Sequence, residues 1–341
     1  MTARPDFGDW PDDFDLTPGR RMGADALSDL LKTVRLSGAA FFEIAADGPW
    51  AVGAPAPAMI LPKILPDADH LIAYHVVTAG ECFGKLAGGE PIAVNAGEVI
   101  VFVNADAHVM SSAPTAHADP FTADALEIAA AGRMPYCINY GGSVPATTRL
   151  VCGYLACDKG PFNPLLDNLP PVIKAGDPRS RTGWLGQFVQ FALAEAAEKR
   201  AGSESVLTRL SELMFIDVLR RYIETLPPER AGWLAGIRDP VVGKALSLLH
   251  EKPARDWTIE ELARGSGASR SVLAERFTQL VGIPPIAYLA KWRMQLAAEM
   301  LARGAGNIAG IAAEIGYDSE ASFSRAFKKL VGVPPSQWRR R

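Results

Sequence analysis

No stretch of this chain reaches about 18 uncharged apolar residues, so a membrane-spanning helix is not expected. Cysteine is scarce. There are 4 in 341 residues, Cys82, Cys137, Cys152 and Cys157, and none forms a C-x-x-C pair. That excludes a small disulfide scaffold and a zinc ribbon. The opening segment, MTARPDFGDWPDDFDLTPGRR, has no basic-then-apolar export pattern. The chain is therefore expected in the cytoplasm, with reduced thiols and no membrane partner. Charged residues are not in excess: 21% of the chain, against 48% hydrophobic, which excludes a largely disordered protein.

What is there is unevenly distributed. Residues 240–341 hold 15 Lys and Arg against 9 Asp and Glu, a net +6, while residues 1–239 hold 20 against 29, a net −9. The last hundred residues are thus suited to a polyanion. Texture divides the chain further. Residues 1–22 read as a disordered N-terminus. Residues 23–181 open with a short amphipathic helix, 25–36, on Leu27, Leu30, Leu31 and Val34. Short apolar runs follow (GAAFFEIA, HLIAYHVV, ECFGKLA, GEVIVFV, RLVCGYLAC), separated by turn residues, which predicts an antiparallel sandwich or small barrel. Residues 182–238 predict two helices, 183–199 and 203–225, and a connection. The second helix carries Val206, Leu210, Leu213, Met214, Ile216, Val218 and Leu219, an apolar face wide enough to serve a dimer as well as the barrel.

Residues 239–341 contain an internal repeat. SRSVLAERFTQLVGIPP (269–285) returns as SEASFSRAFKKLVGVPP (319–335), so one structural unit occurs twice. Each copy predicts helix, tight turn, helix. Thr258 and Glu261 form a capping box, Ser269 caps the second helix of the first copy, and Gly282 ends it, with Gly332 at the matching place of the repeat. Leu273, Phe277, Leu280 and Val281 are expected inward in the first copy, and Phe323, Phe327, Leu330 and Val331 in the second. Two such units in a basic segment, joined by one long helix, have the arrangement of helix-turn-helix DNA readers.

The motifs WTIEELARGSGASRSVLAERF, IPPIAYLAKWRMQLAAEML and IAAEIGYDSEASFSRAFKKLVGVPPSQWR resemble the C-terminal domain of AraC/XylS-family bacterial transcription regulators. Upstream, LSDLLKTVRLSGAAFFEI, VVTAGECF, LVCGYLACD and GWLAGIRDPVVGKALSLLHEKPARDWT resemble the branch with a cupin-like N-terminal domain. The resemblance implies an α+β chain: a cupin-like β barrel as sensor, a helical dimerisation segment, and an all-α double helix-turn-helix domain. It implies a cytoplasmic homodimer that binds double-stranded DNA, answers an effector or stress signal and contacts RNA polymerase.

Carried over by position, Arg270, Ser271 and Glu275 in the first recognition helix, and Glu320, Ser324 and Arg325 in the second, are candidates for base edges. Arg293, Lys328 and Lys329 are candidates for phosphate contacts. Glu275 departs from the family habit of a basic residue at its position. The sensor departs further. Gly97 and His108 fit the spacing of the second cupin motif, but Val103 and Ala105 replace its Pro and Gly, and the first motif's His-x-His-then-Glu is missing. A metal-binding cupin enzyme with a helical appendage is the alternative reading, and it loses most of its ligands. Three sensor chemistries stay open: zinc on His75, Cys82, His108 and Cys152; a redox pair of Cys82 and Cys152; or a small apolar effector in the barrel.

Overall fold

The computed structural model describes residues 25–339, apart from 35, 55–56, 65–67, 117, 119–135, 141–145, 177–183, 199 and 228–230. The expected N-terminal segment 1–22 lies outside the described residues. Helix α1 (Ala26–Val34) leads into ten strands: β1 (Ser37–Ala46), β2 (Ala51–Ala54), β3 (His70–Ala79), β4 (Glu81–Leu86), β5 (Ile92–Asn95), β6 (Glu98–Phe102), β7 (His108–Ser111), β8 (Tyr136–Tyr140), β9 (Thr148–Cys157) and β10 (Val172–Gly176). Helix α2 (Pro57–Ile64) sits between β2 and β3.

The strands form a six-stranded sheet, β10-β6-β3-β9-β1-β8, and a four-stranded sheet, β2-β7-β4-β5. Ladder pairs are antiparallel except β1 with β8. The larger sheet is covered on both faces, which is why β3 reads HLIAYHVV without a polar alternation. Leu71, Ala73 and Val77 join Ile100, Phe102, Leu150, Cys152, Cys82 and Met110 in the barrel interior. The opposite face presents Ile72, Tyr74, Val76, Val99, Val101 and Val151 to another core. Two helices follow the strands, α3 (Trp184–Glu198) and α4 (Ser203–Thr225), at the places the spacing predicts. Met214, Phe215, Val218 and Leu219 of α4 close over that outer face, and the Tyr74 hydroxyl bonds Ser211 at 2.8 Å.

The C-terminal part is all helical: α5 (Trp233–Arg238), α6 (Pro240–Glu251), α7 (Ile259–Gly265), α8 (Arg270–Val281), α9 (Pro285–Ala302), α10 (Ile308–Glu314), α11 (Glu320–Val331) and α12 (Pro335–Trp338). The caps that the sequence predicts are present. Thr258 and Glu261 form the capping box, and Ser269 and Ser319 accept from backbone amides three residues on. Gly282 and Gly332 end α8 and α11 at φ 84° and 90°, a conformation that glycine adopts without a Cβ clash.

Two cores divide these helices. The first reader, α7 and α8, shares one continuous core with α1, the outer sheet face, α4, α5 and α6. The second, α10 and α11, has its own core of Met294, Ala297, Ala298, Leu301, Ile311, Ala312, Ile315, Phe323 and Phe327. Leu330 is a correction: expected inward, it is 42% exposed. Phe323, Phe327 and Val331 recur every fourth residue and face the core, whereas Leu330 falls on the helix flank.

Candidate nucleic-acid interface and sensor interior

The turn before α8 and the buried Leu273 and Phe277 fix which side of that helix reaches solvent. Arg270, Ser271, Glu275 and Thr278 are exposed there. In the second reader Glu320, Arg325, Lys328 and Lys329 are exposed, and Ser324 is half-buried. The candidate residues of both helices thus reach solvent, Ser324 only in part. The two faces differ in charge. Arg270 is ion-paired with Glu260 at 3.0 Å, both well exposed, a contact worth little in water. Arg276, a turn further on, is held by Asp239, whose other oxygen caps α6 through the amides of Val241 and Val242. No ion pair among the described residues involves Arg325, Lys328 or Lys329. The second reader therefore presents the stronger positive face.

Arg293 requires a correction. Expected at a phosphate, its guanidinium instead donates to the main-chain carbonyls of Pro253, Gly316 and Arg255, at 2.7, 3.2 and 2.9 Å. A side chain committed to three carbonyls is part of the scaffold. Glu275 also has a second environment. It borders a cleft of about 560 Å³ between α8 and Pro227, Ala235, Arg238 and Asp239.

The position of the first reader depends on contacts that the sequence pattern did not single out. Trp233 Nε1 donates to the Tyr288 hydroxyl at 2.9 Å, and Tyr288 bonds His250 Nε2 at 2.8 Å. An indole N–H only donates, so the Tyr288 oxygen accepts from Trp233 and shares a second hydrogen bond with His250 Nε2. His250 stacks on Trp292 with centroids 4.0 Å apart, and its burial lowers its pKa to about 3. Gln295, buried in α9, accepts from the Phe162 amide at 3.0 Å, and Asn168 accepts from the Trp233 amide. Arg238 donates to the carbonyls of Ile223 and Leu226 at the end of α4. A polar Gln295 and a His250 among apolar helix residues are the sequence signals that could have pointed here.

In the barrel, strand alternation turns His75 and Cys152 inward together, since they face each other in the β3–β9 register. His108 comes from the opposite sheet, and its Nε2 lies 2.8 Å from Nε2 of His75. His108 Nδ1 donates to the Asp106 carbonyl at 2.6 Å, so its Nε2 accepts and His75 donates. His75 Nδ1 is left buried without a partner. Phe102 stacks on His108 at 3.8 Å. Burial lowers the His108 pKa to about 4, and burial with the neighbouring His108 lowers that of His75 well below its ordinary value. Both rings are neutral.

The zinc set of His75, Cys82, His108 and Cys152 is not assembled. Among the described residues no three His, Cys, Asp or Glu side chains are grouped to hold an ion. The two imidazoles bond each other, and the thiols sit in apolar packing. For the redox pair the setting is unfavourable. Cys82, Cys152 and Cys157 are buried free thiols. Burial raises Cys82 and Cys157 to about 12, and burial with the neighbouring Cys82 raises Cys152 well above its ordinary value, which suppresses the thiolate that oxidation needs. Cys157 lies in the other core from Cys152, as strand alternation predicts.

A packed barrel joined to a double, capped helix-turn-helix defines a class: a sensor domain carrying a DNA reader. Comparison with known proteins agrees. A cupin family matches residues 25–224 and a helix-turn-helix domain family matches residues 262–341. An AraC-like transcription regulator of Streptomyces antibioticus is 33% identical over 327 residues, covering 93% of this chain and 98% of that one. The HTH-type transcriptional regulator AlkR of Acinetobacter baylyi is 27% identical over 317 residues, covering 92% and 99%. The solved C-terminal domain of AraT, a response regulator from Geobacillus stearothermophilus, is 38% identical, covers 30% of this chain and 85% of that one, and has a TM-score of 0.29. The chain belongs to the AraC-like transcription regulators, with a cupin-type N-terminal domain and an AraC-type helix-turn-helix domain. No described helix is long and apolar enough to cross a membrane.

Proposed function

We propose that this regulator works in the cytoplasm as a homodimer and reads duplex DNA with α8 and α11. Arg270, Ser271, Glu275, Glu320, Ser324 and Arg325 face base edges, and Lys328 and Lys329 face phosphates. One observation carries this reading: the same capped unit stands at both ends of α9, with polar residues exposed on the first half of each second helix. The 18 residues of α9 give a strut of about 27 Å. That suits two successive major grooves on one DNA face, about 34 Å apart. The dimer contact uses α3 and α4, where Phe191 and Leu213 are each 52% exposed.

The effector is a small molecule, bound in the N-terminal domain. Buried, protonated thiols and a self-bonded histidine pair support this over a metal or a redox switch. The same pair, with no third ligand grouped beside it among the described residues, supports a regulatory role over a catalytic one. The effector acts by favouring one placement of the first reader, whose core is continuous with the sensor. RNA polymerase is the downstream partner.

The test is titration of full-length protein onto a duplex chosen by selection from a random library, over a range of salt. Lys328→Ala is expected to weaken binding to all sequences and to lower the salt slope by about 1. Arg325→Ala is expected to cost about 1–3 kcal/mol and relax preference at one base pair. Equal affinity of the parent protein for selected and scrambled duplexes would contradict the reading.

A further inference from the structure

Helix α9 joins two cores that otherwise stay apart. Tyr288, Leu289 and Trp292 in its first half belong to one, and Met294, Ala297, Ala298 and Leu301 to the other, with Leu296 touching both. A single helix fixes how far apart the readers stand. It does not alone fix how one is turned relative to the other, because each reader is seated only on its own half of the strut. A second point of contact does that.

That contact lies between the loop ahead of the first reader and the turn of the second. Gly316 has φ +86°, and a Cβ there would come within 2.4 Å of the Ala254 carbonyl oxygen and 2.8 Å of its Cα. The two backbones therefore touch, and no side chain fits between them. Arg293 spans the contact from α9. Its Nε and Nη2 hold Pro253 and Arg255 of the loop, and its Nη1 holds Gly316 of the turn. The loop is stiff. The Arg255 guanidinium lies 4.2 Å over the Trp257 ring and pairs with Glu261 at 2.7 Å, and Trp257 Nε1 donates to the Lys252 carbonyl. Glu261 belongs to the capping box of α7, so the brace ends in the first reader's own helix. On the other side Tyr317 follows Gly316 and packs on the second reader's core beneath the Arg293 guanidinium.

We propose that Arg293 is a positioning residue that locks the two readers in one relative orientation, and so sets the spacing between the two sequence blocks that they recognise on DNA. It does this without touching DNA. The planar fork of arginine lets three separate nitrogens meet three carbonyls on two segments; a lysine carries its three donors on one nitrogen, onto which these carbonyls do not converge. One inserted base pair moves the second block by about 3.4 Å and turns it by roughly 35°. A locked pair of readers cannot follow that change, and an unlocked pair can.

The experiment is selection from a random duplex library with the full-length chain, comparing the parent with R293Q and R293K, with thermal melts of each. The parent is expected to return two blocks with one spacer, and a spacer one base pair longer or shorter should bind at least tenfold more weakly. R293Q is expected to return the same two blocks with neighbouring spacers bound within threefold of each other. R293K should behave like R293Q, and it decides the matter if R293Q fails to fold. A variant that binds every duplex more weakly while keeping the parent's tenfold spacer discrimination has lost only stability, and it overturns the proposal. So does a parent chain that enriches one block with no spacer to fix. A parent that enriches no sequence overturns the DNA reading itself, and this proposal with it.

Discussion

Replacing Phe327 by Ala should unfold the second reader and leave the rest of the molecule folded. Phe327 is fully buried in a core of nine buried residues that belongs to α9–α12 alone. Its ring packs against Phe323 and Trp338, with centroids 5.5 and 6.2 Å away. Truncating a phenylalanine in such a site costs about 3–5 kcal/mol, because the cavity left behind does not collapse. At about 0.05–0.15 kcal/mol per residue, a unit of roughly 40 residues is stable by only about 2–6 kcal/mol. The substitution therefore removes most or all of that margin. The matching residue of the first reader, Phe277, lies instead in the core that continues into the sensor. Hydrogen exchange read by mass spectrometry separates the two cases. With Phe327→Ala, the amides of α10, α11 and α12 should exchange rapidly, while α7, α8 and the strands keep their protection. With Phe277→Ala, loss of protection should spread into α5 and α6. Equal loss throughout the chain with Phe327→Ala would refute the division into two cores.

The buried histidines make stability depend on pH. His75, His108 and His250 are neutral in the folded chain, with pKa values lowered by burial, and they gain protons more readily when unfolded. Stability is thus fully present above pH 6.5 and is lost as the pH falls, down to about 4 for His108 and about 3 for His250. Between pH 6.5 and 5, before most carboxylates titrate, His108 and His250 each contribute a loss of about 1.5 kcal/mol, and His75 adds to it in the same direction, measurable as a falling urea midpoint. A midpoint that stays flat over that window would contradict the tautomer assignment and the burial. The thiols give a separate check: Cys82, Cys152 and Cys157 should resist an aqueous thiol reagent in the native protein and react once it is unfolded, as mapped by peptide mass spectrometry. Rapid native labelling of Cys82 or Cys152 would reopen the redox reading.

Much of the DNA-binding half is legible from local chemistry. Caps, turn glycines and the four-residue recurrence of Phe323 and Phe327 act over a few residues, so the sequence pattern carries them directly. The barrel is legible as a class because each short run ends at turn residues. Its inward set is legible only in part. His75, Cys82, His108 and Cys152 do point into one barrel, but strand periodicity gives a face and not a distance. Whether inward groups meet as ligands depends on sheet-to-sheet register, which no local pattern encodes. Arg293 shows the same limit from the other direction. A basic residue on a half-exposed helix reads as a phosphate contact until Pro253, Arg255 and Gly316, 40, 38 and 23 residues away in the chain, are brought to it. Leu330 was misplaced because an apolar residue beside an apolar stripe looks like part of it.

In the proposed function, one chain holds two DNA readers at a fixed separation. Hydroxyl-radical footprinting of the full-length protein on its selected duplex tests this most directly. Two protected windows are expected on one face of the duplex, about 10 base pairs apart, with Phe327→Ala erasing one of them and leaving the other. A single window in the parent protein, or protection that does not change with Phe327→Ala, would contradict it.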